Sequence, residues 1–152
     1  MTGIAREVGP RCHTEAMRGR AKFDPDIPRK KRHDYWGIVI EAPDAHALAR
    51  FYAELLGWEI ASQSEDGAAL LPFDGVGYLG IQQADDYVAP AWPTREGEQQ
   101  MMMHLDFEVT DLNAAVAHAR ELGAVEADFQ PQDNVRVMLD PAGHPFCLYQ
   151  DE

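Results

Sequence analysis

The sequence predicts an α+β domain of two βαβββ modules that form a curved mixed sheet around a cleft, with the helices outside. Three observations predict this. Gly37 to Asp44 reads as a strand that runs into a helix over 45–56 and stops at Gly57, and His104 to Asp111 runs the same way into a helix over 112–122 that stops at Gly123. A shift of 67 positions, 104 against 37, lays Glu41 on Glu108, Asp44 on Asp111, Ala47 on Ala114, Glu54 on Glu121 and Leu55 on Leu122. These identities fall on strand face, helix cap and helix end, which marks an internal repeat. Finally, three short strand-like segments follow each helix. One copy alone would leave a sheet face uncovered, so the two copies must pack together.

Residues 1–34 lack hydrophobic periodicity and are expected to be a disordered or extended basic leader, with Asp24 to Pro28 extended. The domain occupies 35–152, as modules of about 35–84 and 101–152 joined by a linker over 85–100. In the first module, a strand is expected at about Trp36–Glu41. The helix from Asp44 buries Leu48, Phe51, Tyr52 and Leu55 at helical spacing, with Asp44 as N-cap and Gly57 at the C-terminal cap. Strands follow at Trp58–Ser64, Ala68–Pro72 and Gly77–Gln83, the first two joined by a Glu65-Asp66-Gly67 turn. Pro90 and Pro93 flank Ala91-Trp92 in the linker, and Trp92 has no periodic element to join. It either caps the core or lines a ligand mouth.

The second module begins with a strand at about Met101–Val109. Leu105, Phe107 and Val109 alternate with His104, Asp106 and Glu108, the period-2 pattern of a half-buried strand. Its helix at about Asp111–Leu122 places Leu112, Ala115, Val116, Ala119 and Leu122 on one stripe. Strands are expected near Val125–Phe129, Val135–Asp140 and Phe146–Gln150, with Asp140-Pro141-Ala142-Gly143-His144-Pro145 as the turn between the last two.

Charge is unevenly spread. The leader holds nine of the thirteen Lys/Arg and five of the twenty-six Asp/Glu, which leaves four arginines against twenty-one acids in the domain. A body that acidic repels nucleic acid. The Arg29-Lys30-Lys31-Arg32 cluster is read as part of a solvated arm. No apolar run is long enough to span a bilayer and no secretory signal pattern is present, so neither nucleic acid nor membrane is an expected partner. Cys12 and Cys147 lie in different kinds of segment, and the cytoplasm is the expected compartment.

The polar face of the second repeat strand carries the candidate site. His104 and Asp106 stand about 6.8 Å apart along it. The imidazole either hydrogen-bonds Asp106 or a tyrosine, touches a ligand, or binds a metal. Glu41 and Glu108 are repeat-equivalent. Close together they would act as an acid–base pair, and at the rim they would be solvated charges. They are the candidate catalytic residues. Val39, Tyr78 and Tyr149 edge an acidic cleft suited to a cationic or hydrogen-bonding organic ligand. Cys147 is either a small buried hydrophobe or a soft metal ligand. His46 and His118 are expected to be solvated on the helices, and His13, His33 and His144 show no zinc-like spacing. Phosphate-loop, Rossmann, nucleophile-elbow and Cys-x-x-Cys signatures are absent.

Ala42-Pro43-Asp44 through Phe51-Tyr52-Ala53-Glu54-Leu55-Leu56-Gly57-Trp58, His104 through Asp111, and Asp140-Pro141-Ala142-Gly143-His144-Pro145-Phe146-Cys147-Leu148 resemble the vicinal oxygen chelate superfamily. It includes glyoxalase I, the extradiol dioxygenases and the bleomycin-resistance proteins, and the last stretch is most similar to its glyoxalase-like domain subfamily. The resemblance covers about residues 35–151. It implies four inward positions for a divalent metal, matched here by Gly37, Gln82, His104 and Cys147. Gly37 has no side chain, and Cys147 replaces a typical carboxylate. The metal candidates are therefore His104, Gln82 and Cys147, with zinc or another divalent ion at His104 as the implied cofactor. The ligand-binding set is His104, Asp106, Glu108, Glu41, Val39, Tyr78, Gln82, Trp92 and Tyr149. The resemblance implies a small-molecule-binding protein of the glyoxalase/bleomycin-resistance type with a degenerate metal site, probed by ligand affinity in excess chelator. The alternative is a metal-dependent lyase or isomerase of glyoxalase-like type. It also implies a homodimer and a small organic ligand or substrate as partner.

Overall fold

The computed structural model describes Asp26, residues 35–73 and residues 75–151. Apart from Asp26, the expected leader, with Cys12, His13, His33 and the 29–32 basic cluster, lies outside the described residues. Among the described residues no helix is long and apolar enough to cross a membrane.

The first module runs β1 (Trp36–Ala42), α1 (Ala45–Leu56), β2 (Glu59–Ser64), β3 (Gly67–Leu71) and β4 (Gly77–Gln83). The second runs β5 (Leu105–Glu108), α2 (Leu112–Glu121), β6 (Val125–Glu126), β7 (Val135–Leu139) and β8 (Pro145–Tyr149). Each forms a four-stranded mixed sheet, ordered β1-β4-β3-β2 and β5-β8-β7-β6, in which the first and last strands of the module pair in parallel. The α+β fold of paired βαβββ modules is thus the one expected, with its curved sheet divided into two.

The repeat holds at the level of hydrogen bonds. Asp44 Oδ1 accepts from Ala47 N at 2.8 Å and Asp111 Oδ1 from Ala114 N at 3.0 Å, so both acids satisfy an orphan donor at a helix start. A second pair, invisible as motif, does the same. Gln83 Oε1 accepts from Ala45 N and Gln150 Oε1 from Leu112 N, again 67 positions apart (150 against 83). Gly57, at φ 65°, closes α1 in the left-handed conformation that side chains resist.

Two expected strands are shorter than the apolar pattern suggested. β5 starts at Leu105 rather than Met101, because Leu105 pairs with Phe146 and the position before Phe146 is Pro145, which has no N–H to extend the ladder. β6 ends at Glu126 rather than Phe129. Beyond it, the Gln130 side chain takes the ladder bonds of β7, donating to Val137 O at 2.9 Å and accepting from Val137 N at 2.8 Å.

The helix-side faces share one core. Leu48, Phe51 and Tyr52 of α1 are buried, and Leu55 is half-buried against them. Phe146 of β8 sits edge-on to Phe51, Tyr52 and Phe107, with ring centroids 6.1, 6.2 and 6.1 Å away. α1 therefore packs on its own sheet and on the last strand of the other module. Full burial of each such side chain is worth about 1.5–3 kcal/mol, so this junction holds the halves together.

Candidate functional site

Strand parity decides which side chains are free to act. On β1, Ile38, Ile40 and Ala42 face the core, which leaves Gly37, Val39 and Glu41 on the open face; across the parallel register Gly37 pairs with Tyr78, Val39 with Gly80 and Glu41 with Gln82. On β5, Leu105 and Phe107 face the core and Asp106 and Glu108 the open side, where Asp106 pairs with Cys147 and Glu108 with Tyr149. The polar strand face read from the sequence is real, and it opens away from the helices.

Two clefts collect these residues. The first, of about 590 Å³, lies between β1, the end of β4 and the linker, and is lined by Val39, Glu41, Gln82, Asp86, Tyr87 and Met101–Met103, among others. Val39, Met102 and Met103 are more than half exposed there. Its lining includes two carboxylates and no Lys or Arg. The second, of about 330 Å³, lies over β5, β8 and β7, with His104, Asp106, Cys147 and Tyr149 beside Trp92 and Val135. A groove of about 700 Å³ continues the first sheet's open face past Val39 and Gln82, over Gly67–Ala69 and Gly80.

Seven of the nine expected ligand-binding residues line one of these two clefts, and Tyr78 and Glu108 line neither. Val39, Glu41 and Gln82 line the first cleft, and His104, Asp106, Trp92 and Tyr149 the second. Tyr78 lines a separate apolar hollow with Tyr35, Ala69 and Leu71. Glu41 and Glu108 are both exposed, on different sheets. Trp92 lies at the second cleft, donating Nε1–H to Phe129 O at 3.0 Å with its ring against Phe129. His104 Nε2 stands 3.2 Å from Asp106 Oδ1, so the imidazole has the carboxylate partner that the spacing suggested. Two groups in the second cleft also hold their protons more tightly than usual. Partial burial, then hydrogen bonding and charge from Asp106, push the Cys147 thiol up to about 12. Desolvation, followed by the Glu108, Asp151 and Asp106 carboxylates, raises the Tyr149 phenol.

The four metal positions implied by the resemblance do not come together. Gly37 has no donor, and a Cβ there would lie 2.5 Å from the Tyr78 ring, which occupies that space. Gln82 belongs to the first cleft and His104 and Cys147 to the second. Nor are Gln82 and Cys147 repeat partners. Strand register sets Gln82 against Tyr149 and Cys147 against Gly80, each 67 apart (149 against 82, 147 against 80), two residues along the same face. The residues present do not fit a site that spans both modules.

A network at the module junction escaped the sequence reading. Asp140, 4% exposed, accepts four hydrogen bonds. Oδ2 accepts from Tyr52 Oη and His144 Nδ1, both at 2.8 Å, and Oδ1 from the Ala142 and His144 amides, both at 2.9 Å. The carboxylate fixes the proton on Nδ1, so His144 Nε2 accepts from Tyr87 Oη at 3.0 Å. The linker is thereby tied to the last turn beside the first cleft. Burial above all, then the Asp140 charge, raises both phenols, Tyr52 well above its usual value and Tyr87 to about 12. The available signal was an acid opening a Pro/Gly turn directly before a strand of the core.

A family model described as a glyoxalase-like domain matches residues 37–149. Among curated proteins, none matches this chain. Solved structures do. One is a glyoxalase/bleomycin resistance protein/dioxygenase family enzyme from Burkholderia phytofirmans, 16% identical with a TM-score of 0.59 over 75% of this chain and 95% of that one. A glyoxalase family protein from Enterococcus faecalis is 25% identical, with a TM-score of 0.56 over 78% and 97%. A fosfomycin resistance protein from Mesorhizobium loti is 14% identical, with a TM-score of 0.54 over 80% and 93%.

Proposed function

Because this chain belongs to the glyoxalase-like domain family, we propose that it is a small-molecule-binding protein of the glyoxalase/bleomycin-resistance type in which the two-module metal site is degenerate. The observation that carries this is the first cleft. It has the size of a small-molecule pocket, about 300–1,000 Å³, and its thioethers and Val39 offer adaptable apolar contact. Glu41 and Asp86 supply negative charge with no Lys or Arg in the lining, and Gln82 and Gln99 supply hydrogen bonds. That chemistry favours an apolar organic cation. A metal-dependent lyase or isomerase has less support, since a Lewis-acid centre needs about three protein ligands around an open position and the implied set has Gly37 under the Tyr78 ring.

The test uses tetraphenylphosphonium as probe, titrated calorimetrically into the full chain in excess chelator. A carboxylate about 5 Å from a cation contributes roughly 1–3 kcal/mol, the lower end when exposed. Glu41→Gln should therefore weaken binding ~5-fold. Binding that needs added metal, or that ignores Glu41→Gln, contradicts the reading. The proposal includes a homodimer, for which the exposed Trp36 of β1 offers apolar contact area. It also includes a cytoplasmic location, in keeping with Cys147 as a free thiol.

A further inference from the structure

We propose that the first cleft selects cations carrying N–H donors, a primary ammonium on an apolar arm, because the Asp140–His144–Tyr87 chain presents the Tyr87 oxygen to the cleft as an acceptor only. This inference rests on the reading of the first cleft as an organic-cation site, and it names the class of cation.

The direction of the chain is set at its buried end. Asp140 Oδ2 takes the Nδ1 proton of His144 at 2.8 Å, which leaves Nε2 as a lone-pair acceptor for the Tyr87 hydroxyl at 3.0 Å. The Tyr87 proton is thus engaged inside the wall, and with the phenol pushed up to about 12 it stays there at neutral pH. Each bond of such a chain polarises the next, so negative character from the buried carboxylate reaches the phenol oxygen, whose lone pairs remain free. The linker is seated to make this contact. A Cβ at Gly143 would lie 2.9 Å from Ala89 Cβ, so glycine lets the linker close on the turn, and the Tyr87 and His144 ring centroids stand 5.3 Å apart. Both residues line the first cleft, which places their bond in its wall.

The other acceptors of the cleft agree. Glu41 and Asp86 line it, and among the described residues neither carboxylate takes a hydrogen bond or an ion pair. Ionised carboxylates only accept, so Glu41, Asp86 and Tyr87 all call for donors from the ligand. A primary ammonium brings three N–H groups. A quaternary ammonium answers the charge but covers these acceptors with methyl groups and leaves them unbonded, which is unfavourable. Val39 and the Met101–Met103 thioethers receive the apolar arm.

The experiment titrates 4-phenylbutylammonium and its N,N,N-trimethyl analogue calorimetrically into the full chain in excess chelator. The two share charge and apolar arm and differ in N–H donors. The primary ammonium should bind ~10-fold more tightly. Tyr87→Phe should erase that preference and leave the quaternary affinity within ~2-fold. His144→Leu, which frees the phenol proton to turn into the cleft, should erase it too. Tyr87→Phe keeps the ring, so it decides the question even where His144→Leu fails to fold. Equal affinities in the unaltered chain, or a preference that survives either substitution, would overturn the proposal. Equal loss of both ligands in Tyr87→Phe would make the phenol a structural tie and overturn it as well. An unaltered chain that binds neither ammonium would remove the cation reading of the cleft and this inference with it, whereas binding of both without discrimination would remove this inference alone.

Discussion

Replacing Asp140 with alanine should be the most damaging single change at the module junction. The carboxylate accepts from Tyr52 Oη, His144 Nδ1 and two turn amides, all at 2.8–2.9 Å. Tyr52 is fully buried, so its hydroxyl would be left without a partner at a cost of about 1–3 kcal/mol. The other three donors are part-buried and would lose about 0.5–1.5 kcal/mol each. The total is roughly 4 kcal/mol once some donors find water, which lowers the thermal midpoint of a domain this size by roughly 15–20 °C. Asp140→Asn keeps one acceptor oxygen and should lose about half as much. Urea titrations of both variants, and of Tyr52→Phe alone and combined, provide the assay. Because Tyr52 and Asp140 share a bond, the double variant should be less destabilised than the sum by ~1 kcal/mol. A loss under ~1 kcal/mol for Asp140→Ala, or strict additivity with Tyr52→Phe, would refute the assignment of Asp140 as the shared acceptor.

Other expectations follow from the same coordinates. The folded protein holds the Cys147 proton up to about 12 against an ordinary 9.0, and the Tyr87 proton up to about 12 against 10.0. Since the unfolded chain releases both protons earlier, this stabilisation is whole below about pH 9 and drains away as pH climbs toward 12. Urea midpoints should fall across that window, and Cys147→Ser should remove the part that begins at the thiol's ordinary value. Gly37→Ala drives a Cβ to 2.5 Å from the Tyr78 ring, so the ring must swing away, at about 1–2 kcal/mol by urea titration. Asp44→Ala and Asp111→Ala each remove one helix cap and should cost about 1 kcal/mol apiece, additively, since the caps serve separate helices.

The duplicated architecture was legible because its punctuation is local. A capping Asp, a helical stripe and a terminal glycine each act within one turn, so the shift of 67 could be read without coordinates. His104 and Asp106 were legible for the same reason, through strand parity. What parity cannot supply is the neighbour across a strand pair. The contact of Cys147 with Asp106 depends on the β5–β8 register, and the same register makes Gly80, not Gln82, the repeat partner of Cys147. The Met101–Met103 run looked like strand because it is apolar, yet Pro145 ends the ladder before reaching it, and the thioethers line a cleft. Asp140 and His144 belong to one turn of the second module, Tyr52 to α1 of the first and Tyr87 to the linker, and no one-dimensional pattern joins them.

The central claim is that an acidic, apolar cleft receives organic cations without help from a metal. Tetraphenylphosphonium and tetraphenylborate have nearly the same shape and opposite charge, so their affinities in excess chelator isolate the sign of the cleft's field. The account predicts that the phosphonium binds ~10-fold or more tightly than the borate. Equal affinities, or tighter binding of the borate, would contradict it.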